Sequence, residues 1–308
     1  MVESKHQWKA WLYLAPALLL LLVFTVWPII NTVSMAFQEG YCAQRALMGE
    51  TYEVGIGNFQ KVIEYNKFWN YLSNTMILCV ATVPISTILA LLIAVALNSI
   101  KFMQKGLQTI FFLPYVTNSI AIGMVFAAMF NVIGYRQGSG EADSWGIVNN
   151  VIQLFGGTPK DWIGANSTLA DNRFVVMVYS IWNALPFKIL ILLGGLQSIN
   201  KQYYDAARVD GTPRRRVLTK ITVPLLSPMI AYVVITGFIG GFKEYSSIVG
   251  IFGETMGPND LNTMVGYIYK TLGTNQQGTA SAAALILFGI ILVVTLINLQ
   301  VSKKRVHY

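Results

Sequence analysis

The sequence predicts an all-α membrane protein with six transmembrane helices. Three observations predict it. The 308 residues are 54% hydrophobic and only 12% charged, where a soluble domain carries roughly a quarter charged residues. Six apolar runs are each long enough to cross a hydrocarbon layer of about 30 Å as helix. Lysine and arginine gather at alternate ends of those runs, as the positive-inside rule requires.

The first run is uncharged from Ala10 to Gln38 and follows Lys5 and Lys9. It is too long for the apolar core of a cleaved signal, and no small-x-small site follows it, so it reads as a membrane helix with a kink at Pro28. Residues Glu39 to Asn70 form an external loop with amphipathic pieces such as Phe59 to Phe68. The second span is Tyr71 to Leu97, containing Asn74, Thr75 and Pro84. A short inner loop with Lys101 and Lys105 leads to the third span, Leu107 to Val132. A second external segment, Gly134 to Asn172, precedes the fourth span, Arg173 to Gln197. The fifth span starts near Pro224 and passes through Gly237, Gly240 and Gly241. Residues Gly253 to Gly278 are external, and the sixth span runs from Thr279 to Val301. The organisation expected is an N-terminal helix with its loop (1–69), a membrane domain (70–301) and a cytoplasmic tail (302–308).

With the N-terminus inside, the inner segments hold Lys5, Lys9, Lys101, Lys105, Lys201, Arg208, Arg214, Arg215, Arg216, Lys220, Lys303, Lys304 and Arg305, thirteen of the 22 basic residues. Only Glu3, Asp205 and Asp210 of the 14 acidic residues join them. Both termini and the loop after the fourth span are therefore expected in the cytoplasm.

That loop, Ser198 to Pro228, has the densest positive charge. Asn200 is placed to cap a helix over Lys201 to Asp210. Gly211 stands where that helix should stop, because only glycine enters the left-handed region at little cost. Thr212 and Pro213 suit the cap and first turn of a second helix, and Pro224 marks its end or the start of the next element. Ala206 and Ala207 leave the first helix with a nearly bare face. Arg214, Arg215, Arg216 and Lys220 would also suit the phosphates of DNA. Spans flanking the loop on both sides exclude that reading, and no nucleic-acid partner is expected.

Asp205-Ala206-Ala207, three residues, Gly211, nine residues and Ile221-Thr222-Val223-Pro224 resemble the EAA signature of bacterial ABC importer permeases. Asp205 stands for the signature's Glu and Val223 for its Leu. Trp27-Pro28, Gly57-Asn58-Phe59, Asn74-Thr75, Gly146 to Asn150, Trp162, Gly257-Pro258 and the ending Val306-His307-Tyr308 resemble the sugar-importer branch, of the maltose, lactose and glycerol-phosphate type. The resemblance covers nearly the whole chain. It implies the type I importer fold in a cell membrane, with a cytoplasmic coupling helix between spans 4 and 5. Asp205, Ala206, Ala207, Asp210, Gly211 and Pro224 would then couple to an ATPase. It also implies a sister permease, two ATP-binding-cassette subunits that use ATP and Mg, an external solute-binding protein and a sugar or oligosaccharide substrate. No cofactor is expected on this chain itself.

The residues agree with a non-enzymatic role. His6 and His307 lie at opposite ends of the chain, Cys42 and Cys79 form no metal spacing, and no phosphate loop occurs. A secondary transporter or channel would need ionisable groups within the spans for coupling, and Glu244 is the one carboxylate placed for it. Lys188 lies about 15 residues into the fourth span, with two readings: it lines the pathway, or it snorkels to the inner surface. Lys243 and Glu244 follow the pair Gly240-Gly241. They mark a broken helix at a transport site, or simply the outer end of the fifth span. Trp182, Asn183, Phe242 and Tyr245 offer ring faces and hydrogen-bonding groups suited to a sugar. The same aromatics also suit an interfacial belt.

Overall fold

The computed structural model describes residues 7–100, 104–135, 142–254 and 259–305. Glu3, Lys5, Lys101, the Gly257-Pro258 pair and Val306 to Tyr308 lie outside the described residues. The elements in order are α1 (Gln7–Leu21), a π turn (Leu22–Val26), α2 (Trp27–Phe37), α3 (Ala43–Leu47), α4 (Gly57–Glu64), α5 (Phe68–Ser99), α6 (Gln104–Val116), α7 (Ser119–Phe130), β1 (Val132–Tyr135), β2 (Ala142–Trp145), α8 (Ile147–Leu154), α9 (Leu169–Ser198), α10 (Lys201–Val209), α11 (Arg214–Val217), a second π turn (Leu218–Thr222), α12 (Val223–Leu225), α13 (Ser227–Phe242), α14 (Ser246–Phe252), α15 (Met264–Gly273) and α16 (Gln277–Arg305). Each π turn is followed two residues later by a proline, Pro28 and Pro224. The missing N–H loosens the helical ladder there, and a wider turn absorbs the change.

Residues 1–68 with 267–288 form one compact unit, and 69–266 with 289–308 form a second. In the first unit, the apolar surface from Trp8 to Phe37 is almost wholly exposed within the chain. A helix apolar on all sides belongs in hydrocarbon or against a partner. Its far end is tied down by Asn58, which is fully buried. The Asn58 amide donates to the carbonyls of Ala36 (3.1 Å) and Gln38 (2.7 Å) and accepts from the Gly40 N–H (3.2 Å). A Cβ on Gly278 would lie 2.7 Å from Asn58 Nδ2, so only glycine fits beside it.

The second unit is built around α9, which the capping box of Thr168 and Asp171 starts. One apolar cluster joins α5, α7, α9 and α14 through Leu78, Phe126, Val176, Tyr179, Ile248 and Ile251. Another joins α5, α9 and α13 through Ala90, Ala94, Leu192, Leu196, Leu226 and Val233.

Two of the six spans are not single helices. The third was expected as one run. Its halves, α6 and α7, meet at 102°. Asn118 causes the break, its side chain capping α7 by accepting from the N–H groups of Ile120 (2.9 Å) and Ala121 (3.4 Å). The fifth span was expected to start near Pro224. Its membrane helix starts at Ser227, bent 70° from the Arg214–Leu225 segment, and Pro224 lies one residue before the end of that segment. Four helices are long and apolar enough to cross a membrane singly, and the two bent pairs raise the number to six.

The half beyond the first break, α7, packs on α14, the helix that follows α13. A Cβ on Gly123 of α7 would lie 2.6 Å from Gly250 Cα of α14, and a Cβ on Gly250 would lie 2.9 Å from Gly123 Cα and from the Ile120 carbonyl oxygen. The two backbones touch, which only glycine at both positions permits. Beyond them, β1 and β2 form a small antiparallel hairpin with Val132 opposite Trp145 and Ile133 opposite Ser144.

The polar segments 146–172 and 259–263 are held by asparagines. Asn149, fully buried, bonds the Lys160 backbone twice and accepts from Trp162 Nε1 (3.1 Å). Asn172 donates to the Trp162 carbonyl (2.9 Å) and accepts from Asn259 (2.9 Å). Asn74 donates to the carbonyls of Asp260 and Asn262, 3.0 Å each, and accepts from Arg173 (2.6 Å). Asn74, Asn149 and Trp162, which the sequence marked by resemblance, thus work as loop anchors.

Candidate functional site

The loop after α9 forms much as its residues dictate. Asn200 caps α10, its side chain accepting from the Gln202 N–H at 3.0 Å. Gly211 has φ +63°, with no atom within 4 Å of where a Cβ would sit. Its glycine is therefore required by backbone conformation and not by space. The N–H of Thr212 returns to the Ala207 carbonyl (2.9 Å) and that of Gly211 to the Arg208 carbonyl (3.1 Å), closing the helix end. One expectation is corrected here: Pro213, not Thr212, occupies the N-cap of α11, with no side-chain cap bond.

A second correction concerns the bare face of α10. Ala207 is buried at 5% exposure, against the chain's own fold, whereas Ala206 is exposed. The outward face is made by Tyr203 (54% exposed), Ala206 and Val209 (89% exposed), spaced by three along the helix. Tyr203 and Val209 were missed in the sequence. Their spacing carries the signal, but which stripe of a nine-residue helix points outward depends on what covers the other. Asp205 and Asp210 are exposed, and Asp205 lies 3.6 Å from Arg208.

Within the spans, the fifth helix does break after its glycine pair. It ends at Phe242, Lys243 is its C-cap, and α14 restarts at Ser246. Gly241 lies against α5, where a Cβ would fall 2.8 Å from Cys79 Sγ. Glu244 sits in the break. Its carboxylate accepts from the Ser247 N–H (3.3 Å) and hydroxyl (2.6 Å), holding the N-terminus of α14, and from the Ser180 hydroxyl of α9 (3.2 Å). The Thr263 hydroxyl donates to its backbone carbonyl (2.9 Å). Lys243 is exposed, Tyr245 half-buried and Phe242 buried at 1%.

On α9, Trp182 packs on Phe126 with ring centroids 5.3 Å apart. Asn183 is half-buried and has no hydrogen-bond partner among the described residues. One turn on, Phe187 stacks with Tyr115 of α6 (5.8 Å) and lies 6.5 Å from Tyr232 of α13. Tyr115 and Tyr232 are about half exposed. This aromatic row escaped the sequence reading because its three rings come from three helices.

Lys188 departs from both of its expected roles. It is 4% exposed, so it neither snorkels to the surface nor faces open space within the chain. Its ammonium donates to Ser86 Oγ (2.7 Å), Thr87 Oγ1 (2.9 Å) and the Val83 carbonyl (3.2 Å), all on α5. A Cβ on Gly237 of α13 would lie 3.2 Å from Lys188 Nζ. The lysine is a clasp between α9 and α5 beneath α13. Among the described residues no group of three or more His, Cys, Asp or Glu side chains is placed to hold a metal ion.

Comparison with known proteins adds to this geometry. Residues 54–307 match the family of binding-protein-dependent transport system inner membrane components. The arabinooligosaccharide transport permease AraP of Bacillus subtilis is 31% identical over 95% of this chain and 88% of its own length. The lactose transport permease LacF of Rhizobium radiobacter is 30% identical over 94% and 91%. The trehalose/maltose transport permease MalF of Thermococcus litoralis is 26% identical over 96% and 94%. In fold, the chain resembles a chain of a bacterial ABC transporter involved in alginate import, with TM-score 0.79, 23% identity and 97% and 96% coverage. A second structure of an alginate transporter, in complex with its periplasmic protein bound to an alginate pentasaccharide, has TM-score 0.78.

Proposed function

The chain belongs to the binding-protein-dependent transport inner membrane components, a family of multi-pass membrane permeases and not of enzymes, and from that premise we propose that it is the permease of an ATP-driven importer for a sugar or oligosaccharide. The observation that carries this reading is α10 with its glycine stop. A short helix caps itself, turns at Gly211, and presents Tyr203, Ala206 and Val209 to the outside. An exposed apolar face on a rigid loop between two spans suits an ATPase groove, and burying it there transmits movement into α9 and α13. ATP and Mg are then used by two ATPase subunits, while this chain binds no cofactor. A sister permease completes the pathway, and an external binding protein delivers the solute. Both termini lie in the cytoplasm.

The substrate class rests on the relatives and on the residues along α9. The named permeases above act on arabinooligosaccharides, lactose, trehalose and maltose. Ser180 and Asn183 present polar groups on one face of α9, with Phe187 a turn further on, and the break holding Lys243, Glu244 and Tyr245 adjoins Ser180. A sugar needs hydrogen-bonding groups beside ring faces, and this surface offers both. Trp182 supports Phe126 from within, Phe242 fills the core below the break, and Lys188 holds α5 to α9. These three shape the path instead of touching solute.

Ala206→Trp and Val209→Glu test the coupling. Both leave buried packing untouched, so the permease should reach the membrane at its normal level. ATPase recovery on pull-down and sugar uptake should fall together. Normal ATPase recovery with both variants would remove α10 as the coupling element.

A further inference from the structure

Behind α10, on the side opposite its outward face, lies a cavity of about 610 Å³. Its walls come from four places: the end of α5 (Val95, Asn98, Ser99), the end of α9 (Leu196), α10 with its turn (Tyr204, Ala207, Arg208, Gly211, Thr212), and the segment after it (Arg214, Val217, Leu218, Thr222). The lining is amphipathic. Arg208, Arg214 and the amide and hydroxyl groups of Asn98, Ser99 and Thr212 line it beside an apolar wall of Val95, Leu196, Val217 and Leu218.

The charge here is not balanced. Among the described residues Arg214 has no acidic partner, and Arg208 has only Asp205 at 3.6 Å, both side chains largely exposed. Nor is the cavity closed by its own polar groups. Thr222 and Tyr204 satisfy each other at 3.3 Å, and Ser99 satisfies the Ala96 carbonyl at 2.7 Å, leaving both guanidinium groups without a strong acceptor. A guanidinium fork fits a phosphate with two parallel hydrogen bonds. A cavity with two such forks and an apolar wall, between helix ends where the basic side of the chain meets the membrane, has the features of an anionic headgroup pocket.

We infer that this cavity is a binding site for the phosphate headgroup of an anionic phospholipid, held by Arg208 and Arg214 with its chains along the apolar wall. The site lies behind the helix that faces the ATPase, so an occupant would brace α10 and Gly211 against α5 and α9. The inference rests on the cytoplasmic placement of this loop, but its test reads lipid binding and not transport.

The complete transporter is purified in detergent from membranes containing phosphatidylglycerol, and the lipid retained is extracted and quantified. Extensive detergent washing exchanges the bulk and annular lipid, so the lipid that stays is held at sites. Wild-type protein should retain phosphatidylglycerol. Arg208→Gln and Arg214→Gln should each lower retention about tenfold, the loss of one bidentate charge-assisted contact. Arg216→Gln removes the same charge outside the cavity and should retain the wild-type amount. Unchanged retention in both cavity variants, or equal loss from Arg216→Gln, overturns the site. Inorganic phosphate is added as a second arm. Should phosphate protect the wild type against thermal unfolding, but not Arg214→Gln, while no lipid is retained, the pocket binds a free phosphate and the lipid assignment is overturned. Failure of ATPase coupling in the α10 variants above would leave this result untouched, so the two readings fail separately.

Discussion

Gly211 and Lys188 show two ways in which one residue can hold a transport element. At Gly211 the demand is conformational. Its φ of +63° is open to a side chain in space but not in backbone energy. Gly211→Val is therefore expected to cost about 1–2 kcal/mol and to release the Gly211 and Thr212 N–H bonds that stop α10. Gly211→Asn, which tolerates the left-handed region, should stay close to wild type. Co-purified ATPase measured for both variants checks this, and equal losses would show that size and not backbone conformation matters. At Lys188 the demand is for volume in a buried seam. Lys188→Ala leaves a hole between α5 and α9 and should lower stability by about 2–5 kcal/mol, as large-to-small core changes do. Lys188→Met fills the same volume. Ser86 and Thr87 already donate to carbonyls of their own helix, so methionine strands no donor and removes a buried charge. It should stay within about 1.5 kcal/mol of wild type. Thermal melting of the purified complex separates the two, and a methionine variant as weak as alanine would show that the hydrogen bonds, not the packing, hold the helices.

Among the elements, two helix breaks place α7 against α14. The break at Asn118 aims α7, the break at Lys243 between α13 and α14 aims α14, and the two meet backbone to backbone at Gly123 and Gly250. Glu244 is bound to both α9 and the start of α14, so a displaced α14 would carry the carboxylate with it. Gly250→Ala places a methyl group against Gly123 Cα and the Ile120 carbonyl, 2.9 Å from each. Neither backbone atom can yield locally, and an overpacking cost of about 1–3 kcal/mol follows. Uptake should fall while ATPase recovery through α10 is kept. A variant with normal uptake and melting would mean that α7 and α14 separate freely in the working protein.

For the whole molecule, the reading of six spans with cytoplasmic ends places Arg215 inside and Asn259 outside. Single cysteines at these positions, in a chain whose own Cys42 and Cys79 are replaced, should react differently with an impermeant maleimide applied to intact cells. Asn259 should label and Arg215 should not. Labelling at Arg215 would invert the topology and remove α10 from the ATPase side. The sequence by itself determined the number of apolar runs, the basic loop, the cap at Asn200 and the stop at Gly211. All of these are local: run length, charge and the conformational preference of one residue need no neighbour to be read. Only the tertiary structure decided that the third span breaks at Asn118, that Ala207 faces inward while Tyr203 and Val209 face out, and that Lys188 is a clasp. Each depends on what another helix, distant in sequence, places against it. A lysine 15 residues into a span looks the same whether it meets water, lipid or the hydroxyls of Ser86 and Thr87, and those lie about a hundred residues away.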